Sequence, residues 1–297
     1  MKRCSSLISA GLIAGLIFVS GSARAAENAV DRLPARCWYE VPDSHLMKVA
    51  FKWPKGVFFT QNGIGVKAVI RTWSGGAYDT KRDRLLIWGG GHFAYGGNEI
   101  YGFDVNALKW SIVGPPSMKV EKGYPNGSEK YSDGTPRACH SYNYIQYVST
   151  LDRLVSFGTV ANFPASKGGK TMWAYDFEKK KWEEKGQTQA GGIGAYSALD
   201  PVTGRVYVRG TSWGTGLCWW NARTNEWKNI TGRVNHRTDY SKTAAIDPVG
   251  RKFFGIGRKL IYMYDISRNA GVKQQKVTTK GPQDAVNATC PGIQYDP

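Results

Sequence analysis

Short apolar runs separated by polar turns recur along the chain and predict β-strands rather than helices. Four segments share one order: an apolar strand, a polar turn with an aspartate, a basic residue and a second apolar strand. They are GGAYDTKRDRLLIWGG, YIQYVSTLDRLVSFG, GAYSALDPVTGRVYVRG and KTAAIDPVGRKFFGIG. Apolar strands joined by a short polar turn are typical of β-hairpins. The chain therefore contains a repeated hairpin.

The turn aspartates set the length of the repeat. They follow one another at intervals of 73, 48, 47 and 49 residues, at Asp79, Asp152, Asp200, Asp247 and Asp296. The long first interval contains a polar insert over residues 115–138, which we expect to be a loop.

A second marker follows each of the first three hairpins: an aromatic residue, six further residues and then a tryptophan. The pairs are Phe103 with Trp110, Tyr175 with Trp182, and Trp220 with Trp227. The fourth unit has Tyr264 at the aromatic position but Gly271 in place of the tryptophan. The marker thus predicts a third and a fourth strand in each unit.

Four strands in a period of about 50 residues are typical of a β-propeller, whose blades are sheets that bury their faces against neighbouring blades. We therefore predict an all-β propeller with four complete four-stranded blades and the first strand of a fifth. The predicted ranges are 68–114, 140–186, 193–230 and 242–279 for the complete blades, and 289–297 for the partial one.

The hairpin, the Gly-Gly that follows its second strand and the aromatic-to-tryptophan spacing resemble the kelch motif of the galactose-oxidase-like propellers. WSGGAYDTKRDRLLIWGGGH followed by GNEIYGFD is especially similar to the first blade of exported bacterial kelch proteins. The resemblance covers residues 68–297 and implies a ring of about six or seven blades. The chain is thus expected to be a C-terminally shortened member, with an open blade edge that favours self-association. CWYEVP, residues 37–42 in the N-terminal segment 26–67, resembles a ring-closing strand.

The first 25 residues have the pattern of a secretory signal peptide. MKR precedes the apolar run LISAGLIAGLIFVSG, and Ala23-Arg24-Ala25 forms a small-residue cleavage site. The protein is therefore expected in the periplasm or outside the cell. The apolar run is too short for a membrane span and no second one follows, so we predict no stable membrane insertion. Four cysteines remain after cleavage, and we expect at most one disulfide among them.

The chain is strongly basic, with a net charge of +17 that falls to +14 when Lys2, Arg3 and Arg24 are removed with the signal peptide. Such a field attracts anionic partners, although an ordinary solvated basic surface explains it equally. Nucleic acid is not expected, because export and the lack of alternating basic and aromatic clusters argue against it. We predict no bound metal or other cofactor, because zinc-type spacings and C-x-x-C pairs do not occur.

Strand order places several chemistry-bearing residues on one face of the propeller. Turns between second and third strands, and links between blades, emerge on the same side, where propellers usually bind ligands. The predicted ligand-binding residues there are His92, Tyr95, Arg137, His140, Trp213, His236 and Arg237. Candidate catalytic residues are His92, Glu99 and His140, since acid–base chemistry needs groups within hydrogen-bond reach of one substrate.

Each of these residues also has a structural interpretation. His140 and His236 could be ordinary loop histidines, His92 could end a strand, Glu99 could pair with a blade neighbour, and Trp213 could belong to the framework. The predicted function is therefore an exported binding module for an anionic glycan or a protein partner. The alternative is a carbohydrate-active enzyme similar to sugar epimerases or mutarotases or, with less support, to copper-radical oxidases.

Overall fold

The computed structural model describes residues 39–122, 128–159, 162–165, 168–211, 215–232 and 242–295. Two units are distinguished, residues 1–41 and residues 42–297. Of the first unit only Tyr39, Glu40 and Val41 are described, and they carry no regular secondary structure.

Residues 42–297 form a four-bladed β-propeller, as the hairpin repeat predicts. Each blade is a sheet of four antiparallel strands in sequential order. The strands of the first two blades are β1 Gly75–Asp79, β2 Arg84–Trp88, β3 Ile100–Asp104, β4 Lys109–Gly114, β5 Ile145–Val148, β6 Arg153–Ser156, β7 Thr171–Asp176 and β8 Lys181–Gln187. Those of the last two are β9 Tyr196–Leu199, β10 Arg205–Arg209, β11 Leu217–Asn221, β12 Glu226–Asn229, β13 Thr243–Asp247, β14 Lys252–Gly257, β15 Leu260–Asp265 and β16 Gln275–Val277.

The helices are short and lie outside the blades. Two 3₁₀ turns span Leu46–Lys48 and Gly65–Lys67, α1 spans Ala68–Arg71, and α2 spans Asp284–Asn287. No helix in the described part of the chain is long and apolar enough to cross a membrane.

The aromatic-to-tryptophan marker is a cross-strand pair. Phe103 lies directly opposite Trp110, Tyr175 opposite Trp182, and Trp220 opposite Trp227. Their ring centroids are 5.2, 5.3 and 6.5 Å apart, respectively. The six intervening residues thus comprise one further residue of each strand and the four-residue turn that joins the third strand to the fourth in register.

Blade interfaces supply most of the hydrophobic core. Trp88 of blade 1 packs on Trp182 of blade 2 with ring centroids 5.0 Å apart, and Phe157 of blade 2 packs on Trp227 of blade 3 at 6.1 Å. Blades 3 and 4 meet through Tyr196 and Phe253, whose rings stack at 6.0 Å. Each sheet thus buries at least one face against a neighbour.

The turn aspartates hold neighbouring blades together. Arg82 in the first turn of blade 1 makes a bidentate ion pair with Asp152 of blade 2, at 2.7 and 2.8 Å. Arg251 of blade 4 does the same with Asp200 of blade 3, at 2.8 and 2.6 Å. The repeated aspartate and basic residue therefore have a structural role.

The N-terminal segment covers the outer face of blade 1. Trp110 donates from its indole to the backbone oxygen of Ser44 over 2.8 Å, and the Phe51 amide donates to the Tyr101 hydroxyl over 3.1 Å. Trp53 stacks on Phe59 at 5.4 Å. Residues 42–64 are described without a strand. Since Cys37 and Trp38 lie outside the described residues, the ring-closing strand and any disulfide of Cys37 stay predictions.

The outer face of blade 4 differs from the prediction of a fifth-blade strand. Residues 289–295 lie beside β13, and the Thr243 hydroxyl donates to the Pro291 oxygen, but they form no strand. The physical reason is local: Cys290 has a left-handed φ of 51°, and Pro291 has no N–H for a ladder. A mostly apolar groove of about 320 Å³ remains between Phe254, Ile256 and this segment. Self-association through this face stays a prediction.

Candidate functional site

The glycine-rich loop after β2 carries His92 to one end of blade 1. Gly89, Gly90 and His92 have positive φ values of 147°, 121° and 54°, so the chain turns sharply before β3. The turn leaves His92 half-buried and Phe93 42% exposed, with their ring centroids 4.3 Å apart. The loop therefore presents an imidazole and a phenyl ring together at the surface.

His140 lies beside His92 at the start of blade 2. Its ring is perpendicular to that of His92, with centroids 5.3 Å apart. Only 5% of His140 is exposed, and its Nε2 has no hydrogen-bond partner among the described residues. A buried polar atom without a partner is costly unless something else bonds to it. The structure thus brings these two predicted site residues together, with His140 Nε2 buried and without a partner among the described residues.

Trp73 completes this cluster, and the sequence analysis missed it. Its ring centroid is 4.8 Å from that of His140, and 49% of the residue is exposed. It precedes β1 in the segment that enters blade 1, away from the tryptophans that recur in the repeat. Trp73, like Trp213, has no counterpart in the repeat, and that absence is the signal that could have identified it. We call Trp73, His92, Phe93 and His140 the imidazole–aromatic face.

Both imidazoles of this face are held neutral at pH 7. Burial lowers the pKa of His92. Burial, together with the proximity of His92, lowers the pKa of His140 to about 4. A neutral imidazole can donate from one nitrogen and accept at the other, which suits hydroxyl groups. The basic residue nearest in sequence to Trp73 is Arg71, an exposed residue at the end of α1.

Glu99 and Tyr95 do not belong to this face, because both are buried between blade 1 and the N-terminal segment. Glu99 is 1% exposed and Tyr95 is fully buried. The hydroxyls of Tyr95 and Tyr101 both donate to Glu99 Oε1, the latter over 2.7 Å. Trp53 donates to the Tyr95 hydroxyl over 2.9 Å. Burial raises the pKa of Glu99. Neither side chain can reach a ligand unless this packing opens.

Arg137 is also structural. Its side chain is fully buried, stacks on the Tyr131 ring at 4.7 Å and donates to Glu121 Oε2 over 2.8 Å. Further donation, to the Phe163 carbonyl over 3.3 Å, ties the polar insert to blade 2. The guanidinium therefore holds the insert in place and does not face solvent.

Three predicted binding residues, Trp213, His236 and Arg237, lie outside the described residues. Their convergence with the imidazole–aromatic face stays a prediction. The described residues contain no group of three or more histidine, cysteine, aspartate or glutamate side chains placed to hold a metal ion.

Comparison with known proteins assigns the chain to no family. No protein-family model matches the chain. No curated protein matches its sequence at a significant level. The function must therefore be argued from the fold and from the site itself.

Proposed function

We propose that this protein is an exported carbohydrate-binding module that holds an anionic glycan on the imidazole–aromatic face. The observation that carries the proposal is Trp73, a half-exposed indole against the neutral imidazole of His140, whose ring in turn contacts His92. Large aromatic side chains exposed on a rigid scaffold are characteristic of binding sites. The kelch-like repeat and the signal-peptide pattern support the same assignment, since exported propellers of that kind meet extracellular glycans.

The chemistry of the face fits a sugar. The rings of Trp73 and Phe93 offer flat apolar surfaces against which the C–H face of a pyranose can lie. His92 offers hydrogen bonds to hydroxyl groups at the surface, and the buried, unpartnered Nε2 of His140 behind it would gain a partner if ligand binding opened the packing around it. Arg71, two residues before Trp73 in the chain, and the net charge of +14 that remains without the signal peptide favour a glycan with carboxylate or sulfate groups.

Binding to an array of neutral, uronic-acid-containing and sulfated glycans tests this proposal. We expect binding to an acidic glycan, weakened about tenfold or more in Trp73→Ala, as for a truncated aromatic hot spot. Trp73→Phe keeps a ring and should lose less. Val202→Ala, at a 63% exposed position in a blade 3 turn, is the surface control and should bind like the wild type. Equal binding by wild type and Trp73→Ala would refute this site.

Salt dependence tests the anionic part separately. Affinity for the acidic glycan should fall as salt rises from low to physiological concentration, because exposed charges are then screened. Arg71→Ala should weaken binding of the acidic glycan and leave a neutral analogue unaffected. Salt-independent binding would contradict the choice of an anionic ligand.

A carbohydrate-active enzyme is the second candidate, and the close His92–His140 pair favours it. One imidazole would remove a proton from a sugar carbon beside a carbonyl, which stabilises the resulting enolate, and the other, protonated, would return a proton to the opposite face, which is the step of an epimerase. Incubating bound sugars in heavy water would show deuterium incorporation that is lost in His92→Ala. If sugars bind but no deuterium enters and no product forms, the protein is a binding module.

A further inference from the structure

A cavity lies on the axis of the propeller, apart from the imidazole–aromatic face. It has a volume of about 380 Å³ and is walled by the inner strands of all four blades and by residues 293–295. Pro201 and Pro248, in the first turns of blades 3 and 4, line its mouth. This end of the cavity therefore lies on the side opposite to His92. Volumes of this order are typical of small-molecule sites.

Asn143 lines the cavity, and hydrogen bonds from two backbone amides hold its side chain in place. Its Oδ1 accepts from the Ser197 amide over 3.2 Å and from the Ala244 amide over 2.9 Å. Gln146 is fixed in the same way, since its Nε2 donates to the Ser197 oxygen over 2.9 Å. Two side-chain amides are thus held rigidly against the cavity, which is a favourable arrangement for binding.

Several polar atoms on the wall are not used by the fold. Asn143 Nδ2, Gln146 Oε1 and the hydroxyls of Thr80 and Tyr295 have no hydrogen-bond partner among the described residues. They comprise donors, acceptors and hydroxyls that can act as either. The rings of Tyr78 and Tyr295 supply aromatic surface beside them.

No described residue that lines the cavity is charged. The absence is informative in a protein with a net charge of +17. Of the acidic turn residues nearby, Asp200 pairs with Arg251, and Asp152 pairs with Arg82 and Lys81. Asp247 accepts from the backbone amides of Val249 and Gly250. A charged ligand would lose its hydration here without gaining a partner of opposite charge.

We propose that the axial cavity binds an uncharged, hydroxyl-rich molecule of the size of a mono- or disaccharide. Its hydroxyl groups would bond to the side-chain amides of Asn143 and Gln146 at the inner end, and to Thr80 and Tyr295 near the mouth. A ring face would lie against Tyr78 or Tyr295. This site differs from the imidazole–aromatic face in its side of the propeller and in its selection against charge.

Calorimetric titration of the full chain tests the proposal with glucose, galactose, N-acetylglucosamine, maltose and cellobiose as probes. Glucuronic acid and glucosamine are the charged counterparts. We expect at least one neutral sugar to bind at millimolar concentration or better, and the charged counterparts to bind at least about tenfold more weakly. Failure of every neutral sugar to bind, or equal binding of the charged ones, would overturn the proposal.

Variants locate the binding. Tyr295→Ala should weaken it about tenfold, and Tyr295→Phe and Thr80→Val, which each remove one hydroxyl, about threefold to tenfold. Thr80 is exposed and Tyr295 half-buried, so these changes leave the blade cores intact. Trp73→Ala should leave it unchanged. Binding that survives Tyr295→Ala and Thr80→Val unaltered would refute this site, and loss only in Trp73→Ala would assign the sugar to the other face.

Discussion

His140 shows at the scale of one residue how burial sets the protonation of the candidate site. Its pKa of about 4 lies below the ordinary value of 6.5 because the imidazole is buried and faces His92. The folded state therefore binds fewer protons than the unfolded state between these two pH values. Stability linked to His140 is fully present above pH 6.5 and is lost as pH falls toward 4.

The first prediction follows from this linkage. In wild-type protein the free energy of unfolding should fall by roughly 3 kcal/mol between pH 6.5 and 4 on account of His140. His140→Phe keeps an aromatic ring and should show a flatter pH dependence over that interval in denaturant titrations. A wild-type slope in the variant would show that His140 does not titrate in this range.

Glu99 gives stability the opposite dependence on pH from that of His140. Burial raises the pKa of this carboxyl, so the folded state retains a proton that the unfolded state releases above about pH 4.5. The two tyrosine hydroxyls both donate to the same oxygen, Oε1, and Oε2 has no partner among the described residues. Ionisation of Glu99 therefore destabilises the fold.

The second prediction concerns this carboxyl. Glu99→Gln keeps an oxygen for Tyr95 and Tyr101 and cannot ionise, so its free energy of unfolding should fall less than that of the wild type between pH 5 and pH 8. Glu99→Ala is the contrasting variant, since it leaves both hydroxyls without an acceptor and should be less stable throughout. If Glu99→Gln and wild type respond identically to pH, Glu99 is not buried in its neutral form.

At the scale of the element, the cross-strand aromatic pairs stabilise the blades by packing within and between them. In blade 2, Trp182 packs both on Tyr175 of its own sheet and on Trp88 of blade 1. Blade 4 has no tryptophan at this position, and Tyr264 there contacts Phe253 of its own sheet at 5.9 Å. Tyr264, the counterpart of Tyr175, also reaches a neighbouring blade, since Arg209 of blade 3 donates to its hydroxyl over 2.9 Å.

The third prediction is that Trp182→Ala lowers the free energy of unfolding by about 3 kcal/mol, because it opens a cavity between blades 1 and 2. Trp182→Phe retains part of the contact and should lose less. Val202→Ala, at an exposed turn position, should stay within about 0.5 kcal/mol of the wild type. A small effect of Trp182→Ala in chemical denaturation would mean that the blade interface relaxes around the loss.

The turn aspartate is the second recurring feature of the repeat that stabilises the blades. Hydrogen bonding to Arg82, with further contributions from Lys81 and Tyr147, lowers the pKa of Asp152. Its stabilising effect is thus present above its ordinary pKa near 3.8 and is lost as pH falls.

The fourth prediction is that Asp152→Asn destabilises the protein by about 1 kcal/mol at pH 7, a value discounted for the partial exposure of the pair. The difference from wild type should shrink as pH falls below 4, because the unfolded chain then binds a proton at Asp152 while the folded protein still holds the carboxylate ionised. Asp43→Asn is the matched control, because Asp43 pairs with Lys48 on the open surface. Thermal unfolding at pH 7 that shows equal loss in both variants would contradict the inter-blade role of Asp152.

At the scale of the whole molecule, blades 1 and 4 differ in what covers their outer faces. Blade 1 is covered by residues 42–64, through Trp53, Phe59 and the hydrogen bonds to Ser44 and Tyr101. Blade 4 carries an apolar groove bordered by residues 293–295. In a protein stabilised by nearest-neighbour contacts, removing a cover affects mainly the blade beneath it.

The fifth prediction applies this to the N-terminal segment. Deletion of residues 42–64 should increase amide hydrogen exchange in β3 and β4, whose Tyr101 and Trp110 lose their cover. Strands β9 to β12 of blade 3 should keep their protection, because their contacts are to blades 2 and 4. Uniformly faster exchange in all blades would show that the segment supports the whole propeller.

The repeat in the sequence was sufficient to predict the class of fold and the number of complete blades. Alternating apolar residues, turn aspartates and paired aromatics are local features that act within one hairpin, so they can be read without knowing which parts meet. The same locality explains the error over residues 289–295, where the aspartate spacing predicted a strand that the left-handed Cys290 and Pro291 do not form.

Contacts between distant segments could be decided only by the tertiary structure. The sequence predicted that His92 and His140 share a face, because strand order decides which turns emerge together. It could not show that Trp73 lies against His140, that Arg137 and Tyr95 are buried, or that an axial cavity without charged residues exists. Those outcomes depend on how the insert, the N-terminal segment and four inner strands pack together, and no short stretch of sequence encodes that packing.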